Sequence, residues 1–352
     1  MTLCVGWVDS EAAYLTADSA VTKSPRDLKN EYSTFGEKQP QTDTFTVEES
    51  ALKIYRHEDT AAAFSGDASP IDDLFYNYTK GLHLWSPREA FSNAWTSSAG
   101  ETLGALFTYH DGDRPHLLKF DSANTAGVEV TSACIGRIAA QDRDCIRSVL
   151  QAMPRNSDVT DRLVCGICIS QRLAILANVM ETHGIGGVIA GCSVSKEGLR
   201  WAPDTLHVIL RGQNADQRSN DLLTTITTST RHDVLAVRNN LRDRLNCFAT
   251  KFGVNIGLER RDVVEKILAD QGSLPSPYTG MKVGYIVFHD VLTRLSTVFD
   301  VRTGHPNLDY WVQQDDGGLL SFRYTASGNG SGALRRSSAE EGNIAFVPLS
   351  YS

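Results

Sequence analysis

The chain carries near its start, at residues 2–22, the sequence TLCVGWVDSEAAYLTADSAVT. Two short apolar runs, at residues 2–9 and 12–17, flank a polar turn, and this pattern predicts a β-hairpin that ends at the carboxylate of Asp18. If Met1 is removed, which a small following residue generally permits, Thr2 carries a hydroxyl and a free amine on one residue. A terminal amine has a pKa of about 7.7 to 8.0, so it can serve as a base near neutral pH beside a weak hydroxyl nucleophile.

Composition narrows the classes of partner and compartment. Lys plus Arg number 34 and Asp plus Glu number 42, a formal net charge of −8, and no dense basic block is present, so we expect no nucleic-acid partner. The 7 cysteines are an odd count in apolar surroundings, which favours reduced thiols and a cytoplasmic location. No apolar run reaches the roughly 18 residues of a membrane span, and the start lacks a secretory pattern, so we expect no membrane partner.

The first 212 residues alternate strand and helix patterns. Strands are predicted at 52–55, 60–64, 102–109, 115–120, 187–194 and 206–210. Helices are predicted after Ser69 and Ser86 and at 137–153 and 158–180. This order predicts an α+β fold: a four-layer αββα sandwich over residues 1–212, with two antiparallel sheets face to face and helix pairs outside. The polar stretch 23–50 is predicted to be a long loop or insertion.

Residues 213–352 are predicted to form a C-terminal extension of helices and strands, with no role that the sequence discloses. Its helical patterns lie at 219–252 and 260–270, and its strand patterns at 282–289, 295–301 and 321–324. The glycine and serine stretch 327–332 predicts a mobile loop.

Three motifs in the first 212 residues match those of a known family. Residues 2–22 contain Thr-x-x-x-Gly followed by Ala-Asp-Ser-x-x-Thr, Lys53-Ile54 is followed by Ser65-Gly66, and Gly186-Gly187 precedes a strand and a charged turn. With these motifs the chain resembles proteasome β-subunits and the bacterial proteasome-like threonine proteases, which are N-terminal nucleophile hydrolases.

The resemblance implies a role for each matching residue. Thr2 would be the nucleophile and its own amine the base, while Asp18 would orient Lys53 and form an ion pair with it. Lys53 would lower the pKa of the Thr2 hydroxyl, and the backbone N–H of Gly66 would stabilise the oxyanion. The implied reaction is hydrolysis of an amide, in a peptide or protein substrate, through an acyl-enzyme ester. The family also implies no metal or organic cofactor, a homo-oligomeric ring, and an ATPase or unfoldase partner.

The chain departs from the family pattern in several places. Ala20 stands where many members carry arginine, and the insertion makes Lys23, Lys29 and Lys38 competitors of Lys53. The family's Gly-Ser-Gly turn is reduced to residues 132–136, and its Asp-x-x-Ser is replaced by residues 182–185. The residues that remain as possible supporting groups are Ser19, Ser132, Glu181 and His183.

Two other functions stay open. One is a catalytically degenerate, proteasome-like scaffold or regulatory binding subunit, which the missing arginine and altered supporting residues favour. The other is an amidase of small non-peptide amides, which would use the same residues.

Four further motifs are assigned to structure instead of chemistry. Cys165 and Cys168 have a redox or zinc spacing without a second ligand pair, so they are interpreted as core thiols. Residues 110–113 and 315–318 are interpreted as turns because neither contains a full calcium-binding loop. The glycine-rich residues 183–187 lack the lysine and serine of a phosphate loop, which excludes nucleotide binding there.

Overall fold

The computed structural model describes residues 2–25, 31–136, 140–151, 153, 157–176, 180, 183–210, 223–231, 233–239, 244–249, 283–291, 295–302, 307–313, 319–326, 332–338 and 345–347. Over these residues the protein is a mixed α/β fold that is mostly β-sheet.

The helices are α1 (Ile71–Gly81), α2 (Pro87–Ser98), α3 (Ala140–Gln151) and α4 (Val159–Leu176). The strands up to residue 210 are β1 (Leu3–Val8), β2 (Ala12–Asp18), β3 (Ala20–Lys23), β4 (Thr46–Glu49), β5 (Ile54–His57), β6 (Thr60–Ser65), β7 (Gly104–His110), β8 (Pro115–Asp121), β9 (Asn124–Glu129), β10 (Ser132–Gly136), β11 (Ile189–Ser195), β12 (Gly198–Trp201) and β13 (Thr205–Leu210). The later strands are β14 (Leu223–Arg231), β15 (Val234–Asn239), β16 (Arg244–Ala249), β17 (Tyr285–Asp290), β18 (Leu295–Asp300), β19 (Asn307–Gln313), β20 (Leu319–Ala326), β21 (Gly332–Ser338) and β22 (Ala345–Val347).

The predicted hairpin is confirmed, and it is the centre of the first sheet. One carboxylate oxygen of Asp9 accepts the backbone N–H groups of Glu11 (2.8 Å) and Ala12 (3.0 Å), which closes the turn between β1 and β2. The strands run antiparallel with Cys4 opposite Ala17. The start of β1 and the end of β2 therefore lie at the same end of the sheet, whose strand order is β10-β1-β2-β11-β12.

A second five-stranded sheet, in the order β5-β6-β7-β8-β9, packs against the first. Buried side chains from both sheets, among them Leu15 of β2 and Leu106 and Leu117 of the second sheet, form one apolar cluster. Gly6 lets the sheets approach closely, because a Cβ atom there would lie 3.0 Å from the Leu117 side chain. Burial of each such leucine contributes about 1.5–3 kcal/mol, so the contact is a main source of stability.

Helices pack on both of these sheets. Helices α1 and α2 pack on the second sheet, where Phe91 stacks on Phe107 with ring centroids 4.2 Å apart. Helix α2 begins with a capping box between Ser86 and Glu89. Helix α4 packs on the first sheet, and Gly166 makes room for Trp7, whose ring would lie 2.1 Å from a Cβ atom at that position.

The polar stretch predicted as a loop contains a strand that the sequence did not indicate. Strand β4 pairs antiparallel with β3, and Tyr32 forms an isolated bridge with Lys38. Phe35 and Val47 are fully buried, so the stretch adds to the core.

The prediction of a helix at 219–252 is wrong, because the described residues of this segment form β14, β15 and β16. Strand β14 is rich in threonine, a β-branched residue that packs well on a pleated surface, and Ile226 joins a buried cluster with Leu235 and Val237. The six-stranded sheet has the order β16-β15-β14-β13-β17-β18, and β19 to β22 form a separate four-stranded sheet. The helix predicted at 260–270, the turn at 315–318 and residues 327–331 of the predicted mobile loop lie outside the described residues.

Strands β17 and β18 pack on helix α4. Tyr285 and Val287 bury their side chains against Val164 and Cys168. The Arg302 guanidinium adds an ion pair at 2.9 Å to Asp158, just before the helix begins. Among the described helices, none has the length and apolar content needed to cross a bilayer.

Candidate active site

Thr2, Asp18 and Lys53 meet at one end of the first sheet. The Lys53 ammonium donates to the Thr2 hydroxyl at 3.1 Å and to one oxygen of the Asp18 carboxylate at 2.7 Å. The hairpin places Thr2 beside Asp18, and Lys53 precedes β5 of the facing sheet. The three residues are buried, so the cation and the hydroxyl interact with little screening by water.

The Asp18 carboxylate is fully buried, and three donors satisfy it. Its side chain is 0 % exposed and that of Lys53 is 10 % exposed. The oxygen that accepts from Lys53 also accepts the Leu3 backbone N–H at 2.9 Å, and the second oxygen accepts the Gly186 N–H at 3.0 Å. A buried charge with a cation and two N–H donors is well compensated, so Asp18 can hold the Lys53 ammonium in a fixed position.

The two glycines at 186 and 187 have backbone conformations that other residues avoid. Their φ angles are +153° and +71°. The Gly186 carbonyl accepts the N–H groups of Ser19 (3.2 Å) and Ala20 (3.1 Å), so this loop binds the chain on the C-terminal side of Asp18. The sequence singled out the glycine pair but gave it no role, and the N–H donated to Asp18 is the function that was missed.

A cavity of about 730 Å³ opens beside Thr2. Gly66 lies on its wall with φ of +106°, and a Cβ atom there would lie 2.1 Å from the Thr102 carbonyl oxygen, so only glycine fits. The residues lining it are Thr2, Thr22, Phe45, Ser65, Gly66, Glu101, Thr102, Leu103, Gly104, Lys119, Phe120, Asp121, Ser122, Cys134, Ile135, Gly136 and Arg143. Thr2 and Gly66 therefore face one space large enough for part of a peptide.

Gly136 and Arg143 support the backbone of Thr2, and the sequence assigned neither a role. A Cβ atom at Gly136 would lie 1.6 Å from the Thr2 carbonyl oxygen, so a glycine with φ of +108° is required there. Arg143, in the first turn of α3, donates to the Gly136 carbonyl oxygen at 2.9 Å. Gly136 ends the stretch compared with the family's Gly-Ser-Gly turn, which was the available signal.

The four possible supporting residues lie at different distances from the Thr2, Asp18 and Lys53 cluster, and one of them is outside the described residues. Ser19 is buried next to Asp18, and its hydroxyl oxygen would lie 2.5 Å from a Cβ atom at Gly187. Ser132 lies opposite Trp7, at the other end of β1 from Thr2, so the structure does not bring it to the cluster. His183 is half-buried and is not among the residues lining the cavity. Glu181 lies outside the described residues.

Of the three competing lysines, the two that the structure describes have other contacts. Lys23 pairs with Glu48 at 2.5 Å, and Lys38 lies in the bridge to Tyr32. Lys29 lies outside the described residues.

The nearby thiols are poor competitors of the Thr2 hydroxyl. Burial raises the pKa of Cys4 well above its usual range, although the Lys53 ammonium opposes this shift. Burial likewise raises the pKa of Cys134, on the cavity wall, to about 11, against the opposing charge of Arg143. Both thiols are therefore protonated near neutral pH, and a thiol is a weaker nucleophile than its thiolate.

The other motifs serve structure where the chain is described. Cys165 and Cys168 lie in α4, and burial raises the pKa of Cys168 to about 12, as suits a core thiol. The turn at 110–113 joins β7 to β8, with Asp111 accepting the N–H groups of Asp113 and Arg114 at 2.9 Å each. Within the described residues, no three or more His, Cys, Asp or Glu side chains are arranged to hold a metal ion.

Comparison with known proteins gives a distant structural likeness. No protein-family profile and no curated protein match the chain. Among solved structures, the chain is similar to a mutant of Anbu from Hyphomicrobium sp. strain MC1, with 12% sequence identity, a TM-score of 0.40, and coverage of 57% of this chain and 87% of that chain.

Proposed function

We propose that this protein is an amide hydrolase that uses Thr2 as an N-terminal nucleophile after cleavage of the bond between Met1 and Thr2. The observation that carries the proposal is the position of the Lys53 ammonium, 3.1 Å from the Thr2 hydroxyl and 2.7 Å from the buried Asp18 carboxylate. A cation held beside a hydroxyl stabilises the alkoxide that forms as the hydroxyl loses its proton.

In the proposed first step, the freed Thr2 amine takes the hydroxyl proton, directly or through a water molecule. The hydroxyl oxygen then forms a bond to the carbonyl carbon of the substrate amide. The Gly66 N–H receives the negative charge on the former carbonyl oxygen, a contribution of about 2.7–4 kcal/mol for one well-placed donor. Collapse breaks the carbon–nitrogen bond, the proton moves from the Thr2 amine to the leaving nitrogen, and an ester of Thr2 remains.

In the second step, a water molecule hydrolyses this ester. The Thr2 amine accepts a proton from the water as its oxygen attacks the ester carbon, and the carbon–oxygen bond to Thr2 breaks. The proton returns to the Thr2 oxygen, so the site is restored and the acyl group leaves as an acid. The role of Lys53 in both steps is to hold charge next to the hydroxyl, at 3.1 Å.

The proposal extends to architecture and assembly. The apolar clusters on both faces of each five-stranded sheet support a four-layer αββα arrangement of the proteasome-like type. A homo-oligomer and an ATPase or unfoldase partner are proposed from the sequence resemblance, and a cytoplasmic location is proposed from the odd number of cysteines in apolar surroundings. The substrate proposed from the resemblance is a peptide, part of which the cavity of about 730 Å³ can hold.

The test combines the N-terminal mass with turnover. We expect the purified protein to begin at Thr2, to hydrolyse fluorogenic peptide amides faster than a small amide such as an acetyl anilide, and to show a mass increase of one acyl group under rapid quench. Thr2→Ser is expected to retain activity and Thr2→Ala to lose it. Retention of Met1 together with absence of turnover would leave the scaffold interpretation, and equal turnover by Thr2→Ala would exclude Thr2 as nucleophile.

A further inference from the structure

We propose that Glu37 and Glu49, which lie in the polar stretch 31–50, are positioning residues that hold Asp18 in place through the backbone of residues 186–188. The inference rests on the proposed function, because Asp18 matters to catalysis only if Lys53 and Thr2 act as described above.

Three consecutive backbone N–H groups donate to three different carboxylates. The Gly186 N–H donates to Asp18 at 3.0 Å, the Gly187 N–H to Glu37 at 2.8 Å, and the Val188 N–H to Glu49 at 2.9 Å. Hydrogen bonds from N–H groups to ionised acceptors are about twice as strong as neutral ones. The loop therefore has a strong anchor at every amide, and only the first of these anchors belongs to the active site.

The loop needs such anchors because it begins with two glycines. A glycine pair has no side chains to restrict its backbone, and it can adopt many φ and ψ values. The positive φ angles at Gly186 and Gly187 are therefore selected by contacts from outside the loop. The two glutamates supply those contacts, and they fix the direction in which the Gly186 N–H points at Asp18.

The glutamates are themselves held firmly. Glu37 is buried, and the oxygen that accepts from the loop also accepts the Ser33 hydroxyl at 2.6 Å. The second oxygen of Glu49 accepts both the backbone N–H and the hydroxyl of Thr34, at 2.7 Å each. Each carboxylate thus connects the loop to the 31–50 stretch with defined geometry.

The same stretch is attached next to Asp18 and leads to Lys53. The backbone N–H groups of Ser50 (3.0 Å) and Ala51 (3.2 Å) donate to the Ser19 carbonyl oxygen. This stretch is therefore bonded to Ser19, which follows Asp18, and it is continuous in the chain with Lys53. A change at Glu37 or Glu49 is expected to alter the alignment of the pair without touching the substrate, because neither glutamate lines the cavity.

The test uses Glu37→Met and Glu49→Met, which remove the acceptor oxygens and keep the side-chain length. We expect kcat to fall about 10-fold in each, since small misplacements of a catalytic group cost up to about 100-fold, with KM within about twofold of wild type. Glu37→Gln keeps the one oxygen that accepts from both Gly187 and Ser33 and should recover most of kcat. Glu49→Gln should recover less, because its amide nitrogen must face the backbone N–H of either Val188 or Thr34. The matched control is Glu48→Met. Glu48 precedes Glu49 in β4, pairs with Lys23 instead of the loop, and its variant should behave as wild type.

Amide hydrogen exchange gives a readout that does not depend on catalysis. Exchange at Gly187 should accelerate in Glu37→Met, and exchange at Val188 should accelerate in Glu49→Met. If the methionine variants do not fold, Ser33→Ala and Thr34→Val weaken each glutamate's support and should give the same pattern with a kcat loss of about threefold.

The outcomes separate this inference from the proposed function. The positioning role is overturned if both methionine variants keep the kcat of wild type, or if exchange at Gly187 and Val188 is unchanged. In that case the proposed function stays intact, provided that wild type turns over substrate. Absence of turnover in wild type refutes the proposed function, and with it the catalytic meaning of the anchors, whatever the exchange rates show.

Discussion

Replacement of Lys53 by methionine should destabilise the fold as well as abolish turnover. The change leaves the Asp18 carboxylate, which is 0 % exposed, without the cation at 2.7 Å. Removing one partner of a buried ion pair costs about 3–5 kcal/mol. Because the N–H groups of Leu3 and Gly186 still donate to the carboxylate, we expect the lower end of that range, about 3 kcal/mol.

A double-mutant cycle with Asp18→Asn isolates the interaction between the two charges. In Asp18→Asn the amide nitrogen must face one of the two backbone N–H donors, which costs about 1–3 kcal/mol by itself. Removal of both charges should nevertheless destabilise by less than the sum of the single changes, with a coupling energy of about 2 kcal/mol. Urea unfolding followed by tryptophan fluorescence provides the four free energies of unfolding.

The control for this cycle is a more exposed ion pair on the same protein. Lys23 and Glu48 have side chains that are 25% and 13% exposed, and Lys23→Met should cost no more than about 1 kcal/mol. A loss below 1 kcal/mol for Lys53→Met, or a coupling energy near zero, would show that the pair is solvated in solution and would refute the reasoning.

Three further outcomes are expected. Gly136→Ala should destabilise strongly and abolish turnover, because its Cβ atom meets a carbonyl oxygen at 1.6 Å, whereas Gly112→Ala, with φ of +102° and open space, should cost only about 1 kcal/mol in thermal unfolding. Burial lowers the pKa of His207 to about 3, so below pH 6.5 only the unfolded state takes up a proton at this residue. Between pH 6 and 5, the free energy of unfolding of wild type, measured by urea titration, should therefore fall by about 1.4 kcal/mol per pH unit relative to that of His207→Gln. Equal pH dependence in the two proteins would contradict this. Iodoacetamide mapping by mass spectrometry should find the exposed Cys145 modified and the buried Cys4 unmodified in native protein.

The hairpin and its two site residues were accessible to sequence reasoning because their signals are local. Apolar runs around a polar turn set the strand pairing, and the pairing alone brings Thr2 next to Asp18. Lys53 was identifiable only through its resemblance to a family motif, since 35 positions separate it from Asp18. Its location beside the Thr2 hydroxyl depends on how the two sheets pack face to face.

The features that sequence reasoning missed depend on long-range partners. Glu37 and its Gly187 partner are 150 positions apart, and a polar stretch with few apolar residues gives no sign of such a contact. The prediction of a helix over β14, β15 and β16 is wrong because polar, threonine-rich segments show no clear period. Their order comes from long-range pairing, of β14 with β13, β15 with β14 and β16 with β15. Ser132 was proposed near Thr2 from a family turn, but antiparallel pairing of β10 with β1 carries it to the far end.

The parallel pairing of β13 with β17 has a consequence for synthesis and for fragment design. Thr205 of β13 lies opposite Tyr285 of β17. During synthesis β13 therefore leaves the ribosome some eighty residues before the strand with which it pairs. A truncated polypeptide that stops near residue 212 would present both margins of β13 to solvent, together with the bare apolar flank of α4 at Val164. Unprotected margins of this kind recruit other chains, so aggregation of that fragment is the outcome to plan for when residues 1–212 are produced alone.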